Sequence, residues 1–198
     1  MIAIKGWLRS KSEGAPYRAE LILQKMVQIY EQGRDSYYRP REIHLRYVIT
    51  AWMNRCENGR RYYGLAGNNM YPAEHVEGLL ALYGDADWND NMHGSYAMAI
   101  RTWAKQRVVP GETEPNPLRR SVALLNELGE KTGTLDAYAC NWVLEACCRG
   151  QQRVEGRREA YGIAMDTFSR GKRNPRTFVL LVKALRAQIL EFDKTQQQ

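Results

Sequence analysis

The chain has 198 residues and a formal net charge of +7, with 44% hydrophobic and 26% charged residues. That balance allows one domain or two small ones, and it excludes disorder as the main state because the apolar content can offset the entropy of ordering. No apolar run approaches the roughly 20 residues of a membrane span, and only seven prolines interrupt a chain rich in Ala, Leu, Arg and Glu, which favours helix over sheet.

Taken in chain order, the apolar residues repeat with helical spacing. Ala3, Ile4 and Trp7 form the end of a first stripe. The segment PYRAELILQKMVQIYEQG then carries Leu23, Met26, Val27 and Tyr30 on one face, with Gly33 after the last turn. Leu45, Val48, Ile49 and Trp52 occupy positions i, i+3, i+4 and i+7 of the next helix. A polar loop at 58–70 leads to PAEHVEGLLALYGD, where Val76, Leu79, Leu80 and Tyr83 repeat the spacing. Pro72 falls in its first turn, where a missing N–H costs nothing.

Past a loop at 84–90, Tyr96, Ala99, Ile100 and Trp103 mark another helix. After 108–116 the segment PLRRSVALLNELGEKTG starts on Pro117, carries Val122, Leu124, Leu125 and Leu128, and stops at Gly133. Cys140, Val143, Leu144 and Cys147 recover the strict pattern, as do Tyr161, Ala164, Met165 and Phe168 in RREAYGIAMDTFSRG, which stops at Gly171. Phe178, Leu181, Val182 and Leu185 close the series in a helix over 175–192, before a polar tail at 193–198. No segment reads as a strand.

Five of these stripes share one register. The residue before the last member is small or short in each (Gly6, Ala51, Thr102, Ala146, Ala184), which lets a neighbouring helix approach closely. Trp7, Trp52, Trp103, Cys147 and Leu185 stand 45, 51, 44 and 38 residues apart. Those periods lie in or at the edge of the range of about 20–50 residues for solenoid repeats, and the polar loops absorb the surplus at little entropic cost. The expected fold is all-α: an α-solenoid of stacked antiparallel helical hairpins in one array over 1–192, with repeats at 41–86, 92–133 and 136–172 and partial repeats at 1–33 and 174–192.

Chemistry-bearing motifs are scarce. Cys56, Cys140, Cys147 and Cys148 form no CxxC, and the adjacent pair points about 100 degrees apart on a helix, so they read as small buried apolar residues in a reducing compartment. His44, His75 and His93 have no ligand spacing, and Asp85, Asp87 and Asp90 read as a solvated loop. Trp52 and Trp103 read as core, and Tyr62, Tyr63 and Tyr71 as loop packing near basic residues. With no phosphate-cradling glycine loop, HExxH, GxSxG or deaminase signature, the expectation is a protein that is not an enzyme and has no catalytic residues, cofactor, metal or small-molecule substrate.

The segments RPREIHLRYVITAWMNR, NDNMHGSYAMAIRTWAKQ, TLDAYACNWVLEACCRG and NPRTFVLLVKALRAQ as first helices, with RAELILQKM and AEHVEGLL as second helices, resemble a pentatricopeptide-repeat protein. The Ala-Trp ending of the first helix and the long loops are similar to divergent arrays of algae and related protists. The resemblance covers nearly the whole chain and implies a right-handed superhelix whose first helices line a groove for single-stranded RNA, about one base per repeat. It also implies an organelle, mitochondrion or plastid, although MIAIKGWLRSKS shows no signal or transit peptide.

The two reading positions carry over as Arg46 with Arg41, Ala97 with Met92, Asn141 with Asp136, and Val179 with Asn174. Asn141 with Asp136 matches a family combination associated with uridine. Arg41 and Arg46 suit phosphate, whereas Ala97 and Val179 offer no base-edge hydrogen bond. The candidate RNA contacts are therefore Asn141, Asp136, Arg41, Arg46 and Asn174.

Charge is uneven along the chain: residues 1–61 carry +6, 62–133 carry −3 and 134–198 carry +4. Two basic patches follow, around Arg39, Arg41, Arg46, Arg55, Arg60 and Arg61, and around Arg153, Arg157, Arg158, Lys172, Arg173 and Arg176. Met1 falls partway through a repeat and the last helix lacks its partner, so flanking repeats or a protein partner are expected at the ends. The reading is an organellar module that binds single-stranded RNA in processing, stability or translation. The alternative is a scaffold subunit of an organellar complex such as a ribosome, binding protein through its helical surface.

Overall fold

Capping chemistry sets where the helices begin. Pro72 and Pro117 stand at first helical positions, and the Asn91 and Asn116 side chains accept from backbone N–H groups of the turns they precede. The computed structural model describes residues 2–10, 12–33, 36–63, 69–108, 115–150 and 156–196, with side chains omitted at 2, 9, 36, 63, 150, 156–158 and 187–196. The helices are α1 (Ile2–Arg9), α2 (Ala15–Gly33), α3 (Glu42–Met53), α4 (Pro72–Tyr83), α5 (Met92–Lys105), α6 (Pro117–Thr132), α7 (Ala137–Gly150), α8 (Gly156–Arg170) and α9 (Pro175–Gln196). The chain is thus predominantly helical, as its periodicity indicates. No helix among the described residues is long and apolar enough to cross a membrane.

Three local features depart from expectation. Within the loop at 58–70, Tyr62–Tyr63 (β1) pairs antiparallel with Asn69–Met70 (β2), Tyr62 opposite Met70. Two residues per strand are too few to leave an alternating pattern, so this pair is invisible in the sequence. The last helix runs on to Gln196, past Phe192 and into the segment read as a polar tail. Gly133 is a left-handed cap with φ +68°, but Gly33 is the last helical residue of α2 and Gly171 has no positive φ. Gly171 instead sits where a β-carbon would collide with Cys140 Sγ.

The odd-numbered helices pack on one another in sequence, α1 on α3, α3 on α5, α5 on α7 and α7 on α9. Each even-numbered helix packs between the odd-numbered helices before and after it. The continuous core that results runs from Ile4 through Trp52, Ile100 and Leu144 to Ala184.

Tryptophans bind successive helices together. Trp52 is fully buried, stacks on His75 at 4.1 Å with planes 4° apart, and meets the edge of Tyr17 at 4.8 Å. Its Nε1–H donates to Glu20 Oε2 on α2 at 3.0 Å. Trp103 repeats the device one repeat later, donating to Glu77 Oε2 on α4 at 3.0 Å. All four cysteines are free thiols. Burial pushes Cys140 and Cys148 up to about 11 and Cys147 to about 12, and it also raises Cys56.

Acid stability follows from groups held in one protonation state. Burial lowers the pKa of His75, and burial followed by nearby positive charge lowers that of His44. His44 Nδ1 accepts the Arg41 N–H at 3.0 Å at the start of α3, so it must be unprotonated. Both histidines therefore contribute stability that is complete above their unfolded value of about 6.5 and is lost as pH falls below it. Glu20 is raised by burial, only partly opposed by the Trp52 hydrogen bond, so folding favours its neutral form and stability rises as it takes up a proton. Below pH 6.5 the two effects oppose. In thermal melts between pH 7 and 5, His75→Phe should flatten the acid loss and Glu20→Gln should steepen it; unchanged profiles would refute this assignment.

Candidate nucleic-acid interface

The apolar stripes commit one side of each odd-numbered helix to the core, and residues just outside the stripe line the open side. An open groove of about 400 Å³ crosses α1, α3, α5 and α7. Leu8 of α1 and Tyr138 of α7 lie on it, and between them α3 supplies Arg46 and Tyr47 while α5 supplies Met98 and Arg101. Thr50, also in the lining, turns its hydroxyl back to donate to the Arg46 carbonyl at 2.7 Å. The charged side chains of the lining are both arginines. Arg46 has Glu42 at 3.8 Å on its own helix, a pair in which Arg46 is half-exposed and Glu42 largely buried.

Beside the groove, α7 carries the half-exposed Tyr138 and the buried Trp142. The Arg101 guanidinium lies 4.7 Å from the Trp142 ring centroid, Arg176 of α9 lies 5.4 Å from it, and Tyr138 meets it edge-on at 6.1 Å. Trp142 Nε1 and Arg101 Nε are both buried, and neither finds an acceptor among the described residues. Buried donors in native folds are almost always satisfied. These two are instead closed off from solvent, with the Arg101 guanidinium against the Trp142 ring.

A larger groove of about 650 Å³ is lined in part by Arg61, by Glu74 and Glu77 of α4 and by Arg120 of α6. Its charges are mixed, and Arg120 pairs with Glu77. It suits a polyanion less well.

Asp136 caps α7, its Oδ1 accepting the Ala139 N–H at 2.7 Å. Asn141 is 5% exposed and donates from Nδ2 to Asn174 Oδ1 at 3.3 Å, while its own buried Oδ1 finds no donor. Asn174 in turn caps α9, accepting from the Thr177 N–H at 3.0 Å and the Thr177 hydroxyl at 3.1 Å. Asn141 is thus brought to Asn174 of the following helix, where the sequence pairs it with Asp136. Arg46 faces the groove, and Arg41 is exposed at the start of α3.

The first basic patch is largely structural. Arg55 donates to the Ser12 carbonyl at 2.5 Å, Arg60 pairs with Glu13 at 3.0 Å, Arg39 donates to the Asp87 carbonyl at 3.0 Å, and Arg61 covers the buried Tyr71 ring at 4.4 Å. In the second, Arg173 is tied to the Phe168 carbonyl and ring, and the side chains of Arg153, Arg157 and Arg158 lie outside the described residues. Asp85 pairs with Lys131, and Asp87 accepts from the Tyr30 hydroxyl at 3.3 Å.

Arg101, Tyr138 and Trp142 carry no signal as binding residues in the sequence. Arg101 follows the apolar Ile100 and could be placed outside the stripe; Trp142 also lies outside the stripe of α7, yet it is buried in the core. Fold and site together define an all-α protein with a basic, aromatic-edged groove across its odd-numbered helices. No protein-family model, curated protein or solved structure matches the chain.

Proposed function

We propose that this chain is a helical-repeat protein that binds single-stranded RNA across the open face of α1, α3, α5 and α7, mainly through phosphate contacts and base stacking. The observation that carries the reading is the groove whose charged lining is wholly cationic, with the exposed Tyr138 at its edge. That combination recognises phosphates and bases without selecting a sequence. The alternation of odd- and even-numbered helices in the packing supports an α-solenoid with hairpins α1–α2, α3–α4, α5–α6 and α7–α8 and with α9 opening a fifth. The resemblance to pentatricopeptide-repeat proteins supports a right-handed superhelix acting on organellar transcripts. Asn141 is buried and donates to Asn174, so base selection by a reading pair is not part of the proposal. The same engagement favours the second reading, a scaffold subunit that binds protein through this surface.

Titration of labelled single-stranded RNA at several salt concentrations tests the primary reading. Arg46→Gln and Arg101→Gln should each weaken binding by about tenfold and lower the salt slope by about 0.7 for each phosphate no longer neutralised. Asn141→Ala should alter stability more than base preference. A flat titration at low salt, or slopes unchanged in both arginine variants, would leave the scaffold reading.

A further inference from the structure

The last described odd-numbered helix differs from its predecessors in one respect. Phe178 on α9 stands in register with Leu45, Tyr96 and Cys140, which are 0%, 1% and 0% exposed. Val182 stands in register with Ile49, Ile100 and Leu144, each fully buried. Phe178 is 52% exposed, Val182 65%, and Val179 beside them 53%. The other half of α9 is packed normally, with Thr177, Leu180 and Ala184 buried against α7 and α8.

The even-numbered helices show what covers this stripe elsewhere. On α3 the stripe is covered by α4, which stacks His75 on Trp52. On α5 it is covered by α6 with Ser121, Leu125 and Leu128 buried, and on α7 by α8 with Ala160, Ala164 and Thr167 buried. Each covering helix of the last two repeats presents small or aliphatic residues at i, i+4 and i+7.

Charge selects the occupant. Lys183 follows Val179 by four residues and Arg186 follows Val182 by four, so two exposed cations extend the apolar rows along the helix. From Lys172 to Leu190 the sequence contains five cations and no acid. A second copy of the chain packed by the same face would set these cations against their own kind. An RNA backbone would match the charge but leave three exposed apolar side chains unused. We propose that α9 is a docking surface for an amphipathic helix of a partner protein, with small or aliphatic residues at i, i+4 and i+7 and acidic residues flanking them, lying antiparallel in the slot that α4, α6 and α8 fill on the preceding helices. The inference does not rest on RNA binding in the groove.

The test is fluorescence anisotropy of the full chain with two synthetic helical peptides that carry the same Ala and Leu stripe, one flanked by Glu and one by Lys. The Glu peptide should bind with micromolar affinity, and Val182→Asp should weaken it by at least about tenfold, whereas Leu21→Asp on the exposed face of α2 should not. The double variant Lys183→Glu with Arg186→Glu should exchange the preference, favouring the Lys peptide. All of these positions are exposed, and unchanged helical circular dichroism will verify folding. The proposal is overturned if the Glu peptide fails to bind at about 1 mM, or if Val182→Asp leaves its binding intact. Two further results would also overturn it: a homodimer in sedimentation abolished by Val182→Asp, and displacement of the peptide by single-stranded RNA that persists in Arg46→Gln and Arg101→Gln.

Discussion

Trp52→Ala should lower unfolding free energy by about 4 kcal/mol, the upper part of the range for a buried aromatic truncated to alanine. Three losses coincide there. The indole is fully buried, so its removal leaves a cavity between α2, α3 and α4. His75 loses the ring it stacks on, and Glu20 loses the donor that makes its burial tolerable. Set against a typical domain stability of about 5–15 kcal/mol, the variant should sit near the limit of folding. Trp52→Phe keeps most of the volume and loses the hydrogen bond, so it should fall between the two. Trp7, at the matching position of α1, is only partly buried and should cost clearly less on truncation. Chemical denaturation with unchanged m-values would measure all three, and a loss below about 1 kcal/mol for Trp52→Ala would contradict the packing described.

Gly171→Ala should cost about 1–3 kcal/mol by overpacking, and Cys140→Ala should restore much of that loss. The reason is steric and local to the α7–α8 contact. Gly171 has no positive φ, so a methyl group brings no backbone strain of its own; its obstacle is the Cys140 thiol. Removal of Sγ relieves the worst contact and leaves Cys140 Cβ and the Thr167 carbonyl at 3.2 Å, which predicts a coupling of about 1–2 kcal/mol in the double-mutant cycle. At Gly133, whose φ is +68°, alanine is disfavoured whatever its surroundings, and no neighbouring truncation should rescue it. Additive losses at 140 and 171 would show that Gly171 is needed for its backbone after all.

The helices themselves were legible because each element carries its own signal. Apolar spacing, prolines at first turns and small residues before Trp52, Trp103 and Cys147 are local properties, and local rules read them correctly. The same rules could not see β1 and β2, whose two-residue strands are held by pairing across the loop. They also could not tell a glycine needed for its φ from one needed for its missing β-carbon, because Gly133 and Gly171 look alike in sequence and differ only in what lies beside them.

The candidate site was legible in part. Arg46 could be placed on the open side of α3 because it follows the apolar Leu45 in a known register. Asn141 shares that register position, yet it is buried, because the start of α9 folds back and places Asn174 against it. Trp142 next to it lies outside the apolar stripe of α7, yet it too is buried, with Arg101 of α5 and Arg176 of α9 against its ring. By itself the sequence determined which residues turn inward on each helix, since hydrophobic periodicity is a property of consecutive residues. Only the tertiary structure decided which polar groups satisfy one another and which are left facing the groove, because those partners lie on helices about 40 residues apart and meet through packing alone.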